Sequence, residues 1–338
     1  LNNELTGNQS VYLENMDLKT IISAVRRTGL IFIFGSSFCV LNGQQTPLNP
    51  ISYWVFNPYI YNPAIVGSKD FISIGINAAF QGKTNSQLLS GNTRITKTNS
   101  GYFSSPDIVE FKNIGIGGSV FKDINGSSRN IGLTGSGSYQ IPLNTRQLSF
   151  LSFGVSVKGV YSTIPSTNVG LEDSLRRTFY PNFDLGIYYY GTNFFMGISV
   201  INLLGIQWKP DPLGVFKVPV SRQYLFNVGY KMLLSKSLNI VLEPSVLILT
   251  TDSTFSKIRN NINPIIKLYL EDFCIGTTFR SGGKMSFFAQ FRYPRCYLGA
   301  YYELASKTPY YKNKPVVEFT FGINIQSDKS RLSKHTHW

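Results

Sequence analysis

The chain has 338 residues, a length that suits either two soluble domains or one large barrel. Only 15% of residues are charged, while 14% are aromatic and 30 are glycine; this is foreign to a soluble α/β enzyme and suits strands between lipid and a polar lumen, although a soluble β-sandwich carries the same bias. The net charge of +14 is spread along the chain and not gathered in a basic run, which argues against nucleic acid and for loops and a lumen near lipopolysaccharide phosphates.

In chain order, residues 1–15 precede Met16 and look like upstream sequence translated in frame. Residues 16–43 form an export signal: Lys19, Arg26 and Arg27 supply the basic start, and Gly29–Leu41 is an apolar stretch too short to cross a bilayer as a helix. The plainer alternative is a buried amphipathic helix. Phe38 stands where a lipoprotein signal needs a small residue before Cys39, so cleavage is expected near Gly43. No later segment offers the ~20 apolar residues of a transmembrane helix. Residues 44–69 hold three Asn-Pro pairs, at Asn49-Pro50, Asn57-Pro58 and Asn62-Pro63. Such pairs favour turns and forbid a regular helix or central strand, so this tract is expected to be a periplasmic-side strap or plug leading into the barrel.

From about residue 70 the chain alternates with period two. Ile72, Ile74 and Ile76 oppose Ser73, Gly75 and Asn77; Leu151, Phe153, Val155 and Val157 oppose Ser152, Gly154, Ser156 and Lys158; Phe319, Phe321 and Ile323 oppose Glu318, Thr320 and Gly322. The pattern predicts an all-β fold, a transmembrane antiparallel barrel of about 14 strands over residues 70–326, with a basic tail at 327–338. The strands are expected to begin near 70, 92, 113, 130, 147, 182, 194, 222, 238, 261, 273, 284, 297 and 315. Connections such as Gly191-Thr192, Ser235–Ser237 and Glu271-Asp272 are short. Gln81–Gly91, Asp123–Arg129, Ser162–Pro181, Asn202–Ser221, Thr251–Asn260 and Leu304–Lys314 are taken as the longer outer loops. Short inner turns opposite long outer loops are the signature of an outer-membrane barrel; 104–112 and Ser281–Gly283 break the rule.

By the same alternation Lys158, Asp184, Lys231, Glu243, Lys267, Arg280, Lys284 and Glu318 point inward as a lumen charge network, with Glu243 facing Lys267 and Arg280 next to them. Tyr188–Tyr190, Tyr224, Tyr230, Tyr301 and Tyr302 suit interfacial girdles. Cys274 and Cys296 fall two strands apart, too far for a disulfide without distortion.

Nothing in the sequence assembles a catalytic centre. Both histidines, His335 and His337, lie in the tail, which removes Ser/His chemistry and a side-chain zinc site. Gly115–Gly118 lies inside a strand pattern and not ahead of a helix, and Glu172-Asp173 has no partner base. The chain is therefore expected to be no enzyme and to carry no cofactor or metal.

Residues 49–68, NPISYWVFNPYIYNPAIVGS, resemble the start of the PorP/SprF family of Bacteroidetes outer-membrane proteins, through Phe56-Asn57-Pro58, Asn62-Pro63-Ala64 and Gly67-Ser68. The resemblance continues over Asn182–Leu204, Ser221–Leu249 (Ser221, Arg222, Tyr224, Gly229, Tyr230, Glu243-Pro244-Ser245), Phe273–Ser281 and Pro315–Ile325. Gln223 and the basic tail depart from the pattern. The resemblance implies type IX secretion and, in some members, gliding motility. It implies a barrel that binds and anchors, or helps export, a large surface adhesin through its C-terminal sorting domain, with other secretion components, outer-membrane lipid and lipopolysaccharide as further partners. Arg176, Arg177, Trp208 and Arg222 are the residues expected to meet a partner, because arginine and tryptophan dominate binding hot spots; contact with lipopolysaccharide, or folding over the barrel mouth, is the blander alternative. A porin-like or hydrophobic-substrate channel is the competing function.

Overall fold

The computed structural model describes residues 50–326 except 70, 96–112, 126–127, 145–147, 166–174, 205, 212–213, 220, 253, 281–282, 294, 306, 309–310 and 313. The expected leader at 1–15, the export signal at 16–43, the start of the strap and the basic tail lie outside the described residues.

The described chain opens with a short helix α1 (Pro50–Phe56), which corrects the expectation that this tract holds no regular helix, since the first two Asn-Pro pairs leave room between them for seven helical residues, and continues in two single turns of 3-10 helix, Pro58–Ile60 and Pro63–Ile65. The wall then begins with β1 (Phe71–Gln81), β2 (Thr84–Ile95), β3 (Ile114–Asn125), β4 (Ser128–Asn144), β5 (Ser149–Pro165), β6 (Leu175–Tyr190) and β7 (Phe194–Ile201). A hairpin, β8 (Ile206–Asp211) and β9 (Gly214–Pro219), interrupts it. The wall resumes with β10 (Gln223–Tyr230) and its continuation β11 (Met232–Ser235), then β12 (Ile240–Thr251), β13 (Ile262–Leu270), β14 (Phe273–Arg280), β15 (Lys284–Tyr293) and β16 (Cys296–Glu303). After a small hairpin, β17 (Lys307–Thr308) and β18 (Tyr311–Lys312), β19 (Val316–Gln326) completes it.

Fourteen strands, each antiparallel to its neighbours, close the barrel. The seam joins β1 to β19 from Phe71↔Gln326 to Phe80↔Val317, so neither wall strand is left as an edge.

The two faces of the wall are inverted relative to a soluble protein. Asn77, Asp184, Glu243, Glu303, Glu318 and Thr320 are buried inside, while Ile76, Leu133 and Phe319 stand 53%, 63% and 57% exposed outside. In water such a continuous apolar band would be an untenable surface. In a bilayer it is the solvated face, and the closed antiparallel ladder pairs strand backbone with strand backbone around the wall. Apolar and polar residues therefore alternate because each strand has one face in lipid and one in the lumen.

The side bearing the longer described connections is taken as outer. Four expected outer loops are corrected. Gln81–Gly91 is a two-residue turn, Gly82-Lys83, with Gly82 at φ +61°, and β2 begins at Thr84 and not near 92. The alternation there is hidden because Asn85 and Gln87 occupy the outward face at the rim. Asp123–Arg129 shrinks likewise, since Asn125 still pairs with Ser128. Ser162–Pro181 is mostly strand: β5 runs to Pro165 and β6 starts at Leu175. Asn202–Ser221 contains the β8–β9 hairpin.

Candidate functional site

The lumen is occupied by the Asn-Pro strap. Each proline starts a helical turn, and Asn57-Pro58 and Asn62-Pro63 end the first two, because proline at the head of a turn needs no amide partner but cannot continue a helix. The Asn62 side chain caps its own turn by accepting from the Ala64 amide at 3.0 Å. The strap descends the barrel. Near the outer ends of β2 and β3, the Tyr53 hydroxyl meets Ser86 Oγ at 2.5 Å, and Ser86 donates to Asp123. Lower down, Asn57 donates to Asn77 at 2.6 Å and Tyr59 donates to the Gly118 carbonyl at 3.4 Å. The Asn62 amide then donates to the Ile187 carbonyl, and Ser199 to that of Tyr61. At the inner end, Ser138 and Gln140 donate to the Val66 carbonyl, and the Arg94 Nε donates to the Gly67 carbonyl at 2.6 Å.

The strap has two unlike sides. Its polar contacts run along the wall from β1 to β7. Its apolar side chains, Trp54, Tyr59, Ile65 and Val66, pack with Leu225, Leu247, Ile265, Phe288 and Tyr301 on the wall from β10 to β16. Glycine makes the close approach affordable: a Cβ on Gly154 would overlap the backbone of Pro63 and Ala64, and one on Gly186 would overlap the Asn62 side chain.

The inward charges form separate clusters and not one network. Asp184 is bound by Lys158 at 2.9 Å, by Ser156 at 2.8 Å and by the Asn202 amide at 2.9 Å. Glu243 lies opposite Lys267 in register, as the alternation implied, and binds Lys267 at 3.3 Å, Lys231 at 3.8 Å and the Tyr269 hydroxyl at 3.1 Å. Arg280 is not with them. It binds Glu303 at 3.1 Å near the outer mouth, where Lys284 also reaches Glu303 at 3.7 Å. Glu318 accepts from Asn77 at 3.0 Å, within the strap's own hydrogen-bond chain. Sequence reasoning missed Glu303, which ends a strand and sits beside an expected loop; its parity with Tyr297, Gly299 and Tyr301 marks it as inward.

Three of the expected girdle tyrosines are also corrected. Tyr188 and Tyr190 share the inward parity of Asp184, and Tyr190 donates to Gln140 in the lumen. Tyr301 is 1% exposed and donates to Ser286. Tyr189, Tyr224, Tyr230 and Tyr302 keep the outward parity. The two cysteines fall on opposite faces, Cys274 buried inside and Cys296 outward, so the wall separates them.

At the outer rim, the strand pairing brings the expected partner residues onto one extension of the wall. Arg176 pairs with Ile164 and Arg177 with Thr163, while β6 pairs with β8 at Phe179↔Trp208, and Trp208 faces Lys217 of β9. The side chains of Arg176, Arg177 and Trp208 lie outside what is described. Arg222 stands elsewhere on the rim: its Nε donates to the Leu203 carbonyl at 2.9 Å and its amide to Asp252 at 3.1 Å, so it staples the end of β10. No group of metal-ligating side chains is present among the described residues.

No curated protein matches the chain. Among solved structures it is similar to a KdgM porin (10% identity, 75% of this chain and 98% of that chain, TM-score 0.35). It is also similar to BamA from Haemophilus ducreyi lacking POTRA domains 1–3 (9%, 76% and 71%, TM-score 0.39) and to the translocator domain of the autotransporter NalP from Neisseria meningitidis (10%, 76% and 87%, TM-score 0.38). The family model described as type IX secretion system membrane protein PorP/SprF matches residues 43–323. With that match over a closed barrel whose outer face is apolar, the chain is an integral outer-membrane protein and belongs to the PorP/SprF family of type IX secretion.

Proposed function

We propose that this barrel holds a secreted cargo of the type IX system at the cell surface, by binding a large adhesin through its C-terminal sorting domain at the outer mouth. The single observation that carries the reading is a lumen filled from its outer half to its inner end by the strap, hydrogen-bonded to β1–β7 and packed on β10–β16. A lumen so filled favours a docking platform over a conduit. The wall extension of β5, β6, β8 and β9 supplies the platform, with Arg176, Arg177 and Trp208 as the contacts. A role in gliding motility follows where the cargo is a motility adhesin. Lipopolysaccharide phosphates surround the basic rim.

The test is a mild-detergent pull-down from native membranes, read by mass spectrometry, with the wild-type barrel and a variant lacking residues 206–219. The wild type should recover a large surface protein or a secretion component, and the variant should lose it while still inserting. Recovery of neither by the wild type, together with steady conductance in planar bilayers, would favour the channel reading instead.

A further inference from the structure

The lipid-facing side of the wall carries a hollow that cargo docking does not use. It lies across β13, β14, β15, β16 and β19 and has a volume of about 620 Å³. Its outer bank is one register row, Ile266↔Thr277↔Phe287↔Tyr302↔Val317, each residue paired directly with the next. In the next outward row, nearer the periplasm, Ala289 pairs with Ala300. Larger neighbours surround these two methyl groups on every side. Ile275 pairs with Ala289 on one flank, and Phe319 pairs with Ala300 on the other. Phe291 and its partner Leu298, 37% and 55% exposed, form the inner bank. The alanines therefore make a bed let into an otherwise bulky apolar surface.

The hollow is an inclined trench. Crossing from β13 to β19 takes four inter-strand steps of about 4.8 Å, so it is about 19 Å long. At β13 and β14 its outer bank lies mid-strand, at Ile266 and Thr277. At β16 and β19 the bank reaches the outer strand ends, with Tyr302 beside Glu303 and Val317 beside Val316. The trench thus opens at the outer rim between β16 and β19 and runs down to mid-wall at β13. Water has few partners there, since the Thr277 hydroxyl already donates to the Ser286 carbonyl at 3.0 Å. An empty trench would forfeit the contacts its lining can make. By strand rise Phe287 and Phe291 are about 13 Å apart at the backbone and closer between their rings. That is too narrow for a helix, which is about 10–12 Å across with its side chains. A single hydrocarbon chain fits. An oblique path of about 19 Å also matches one leaflet, half of the roughly 30 Å hydrocarbon core.

We propose that this trench binds one acyl chain of lipid A, with the headgroup held at the outer rim between β16 and β19. The open end lies at the outer rim, so the chain hangs from the outer leaflet; a chain from the inner leaflet would have to cross the bank of Phe291 and Leu298. Tyr302 is 43% exposed at that open end. A tyrosine there sets its ring against the chain and its hydroxyl toward the headgroup. The trench touches a chain on three sides where a flat wall touches it on one, so this lipid is retained while the surrounding lipids exchange. The site holds whatever docks at the outer mouth, and its failure would leave the cargo reading untouched.

The experiment is native mass spectrometry of the full chain, extracted from outer membranes in mild detergent. The wild type is expected to retain one lipid A, and the double variant Ala289→Phe with Ala300→Phe, which fills the trench, should lose it. Both positions face lipid, so the double variant should keep the wild-type heat-modifiable gel shift. Ala300→Leu is a smaller filling that serves if the double variant fails to insert. Leu133→Phe, on the outward face of β4, should retain lipid A as the wild type does. Lipid A added to delipidated protein should raise the thermal midpoint of the wild type and not that of the filled variants. No lipid A on the wild type, equal retention after filling, a phospholipid in its place, or a dimer that filling abolishes would each overturn the proposal.

Discussion

Glu303 shows how much one lumen carboxylate does. It is 2% exposed and answers Arg280 and Lys284 together, while Tyr301 lies within 3.5 Å of the same carboxylate. Removing it leaves two cations facing each other across β14 and β15, where Arg280 and Lys284 are direct register partners. Breaking a buried ion pair typically costs about 3–5 kcal/mol, and both cations here keep partial access to lumen water. Glu303→Ala should therefore destabilise the barrel by about 2 kcal/mol in urea unfolding followed by tryptophan fluorescence. Glu303→Gln should cost less, because its amide oxygen still accepts from Arg280. Equal losses in the two variants would place the effect in packing and not in charge.

At the scale of elements, the strap is the piece whose contacts are least local. Asn62 reaches Ile187 and Val66 reaches Ser138, so the strap is held by strands that follow it far along the chain. Deleting residues 50–66 should leave a closed wall, since no wall strand depends on the strap for its ladder. It should also open a conducting pore in planar bilayers where the wild type stays silent. A deletion variant that inserts and still does not conduct would show that side chains alone close the lumen. The strap's presence was legible in its three Asn-Pro pairs. Its seat was signalled more faintly by strands apolar on both faces, such as Val246–Leu249 in β12, where Leu247 is 1% exposed inside. A barrel strand facing only lipid and lumen water has no use for such a residue; one packed against Trp54 and Ile65 does.

For the whole molecule, the bilayer is the solvent that makes the outer face stable. Ile76 lies midway along β1 and is 53% exposed on that face. Ile76→Arg should destabilise folding into bilayers by about 2–4 kcal/mol, as expected for a cation near the midplane. Substitution at the outer rim, as in Gln87→Arg on β2, should change little. Equal costs at the two depths, measured by equilibrium unfolding from liposomes, would contradict a transmembrane setting for this wall.

The sequence by itself determined the parity of the wall, the number of its strands and the existence of the strap, because a residue's preference for lipid or lumen is local and repeats every second position. The Glu243–Lys267 pair was legible for the same reason, since both residues carry the inward parity on neighbouring antiparallel strands. What the tertiary structure decided was everything that depends on closure. Arg280 meets Glu303 across an intervening strand, and Tyr188, Tyr190 and Tyr301 turn out to be lumen residues. Where strands run beyond the alternating segments, as in β5 to Pro165 and β6 from Leu175, only backbone pairing reveals that expected loops are wall. Those partners lie far apart along the chain, and only the curvature of the closed barrel and the thread through it bring them together.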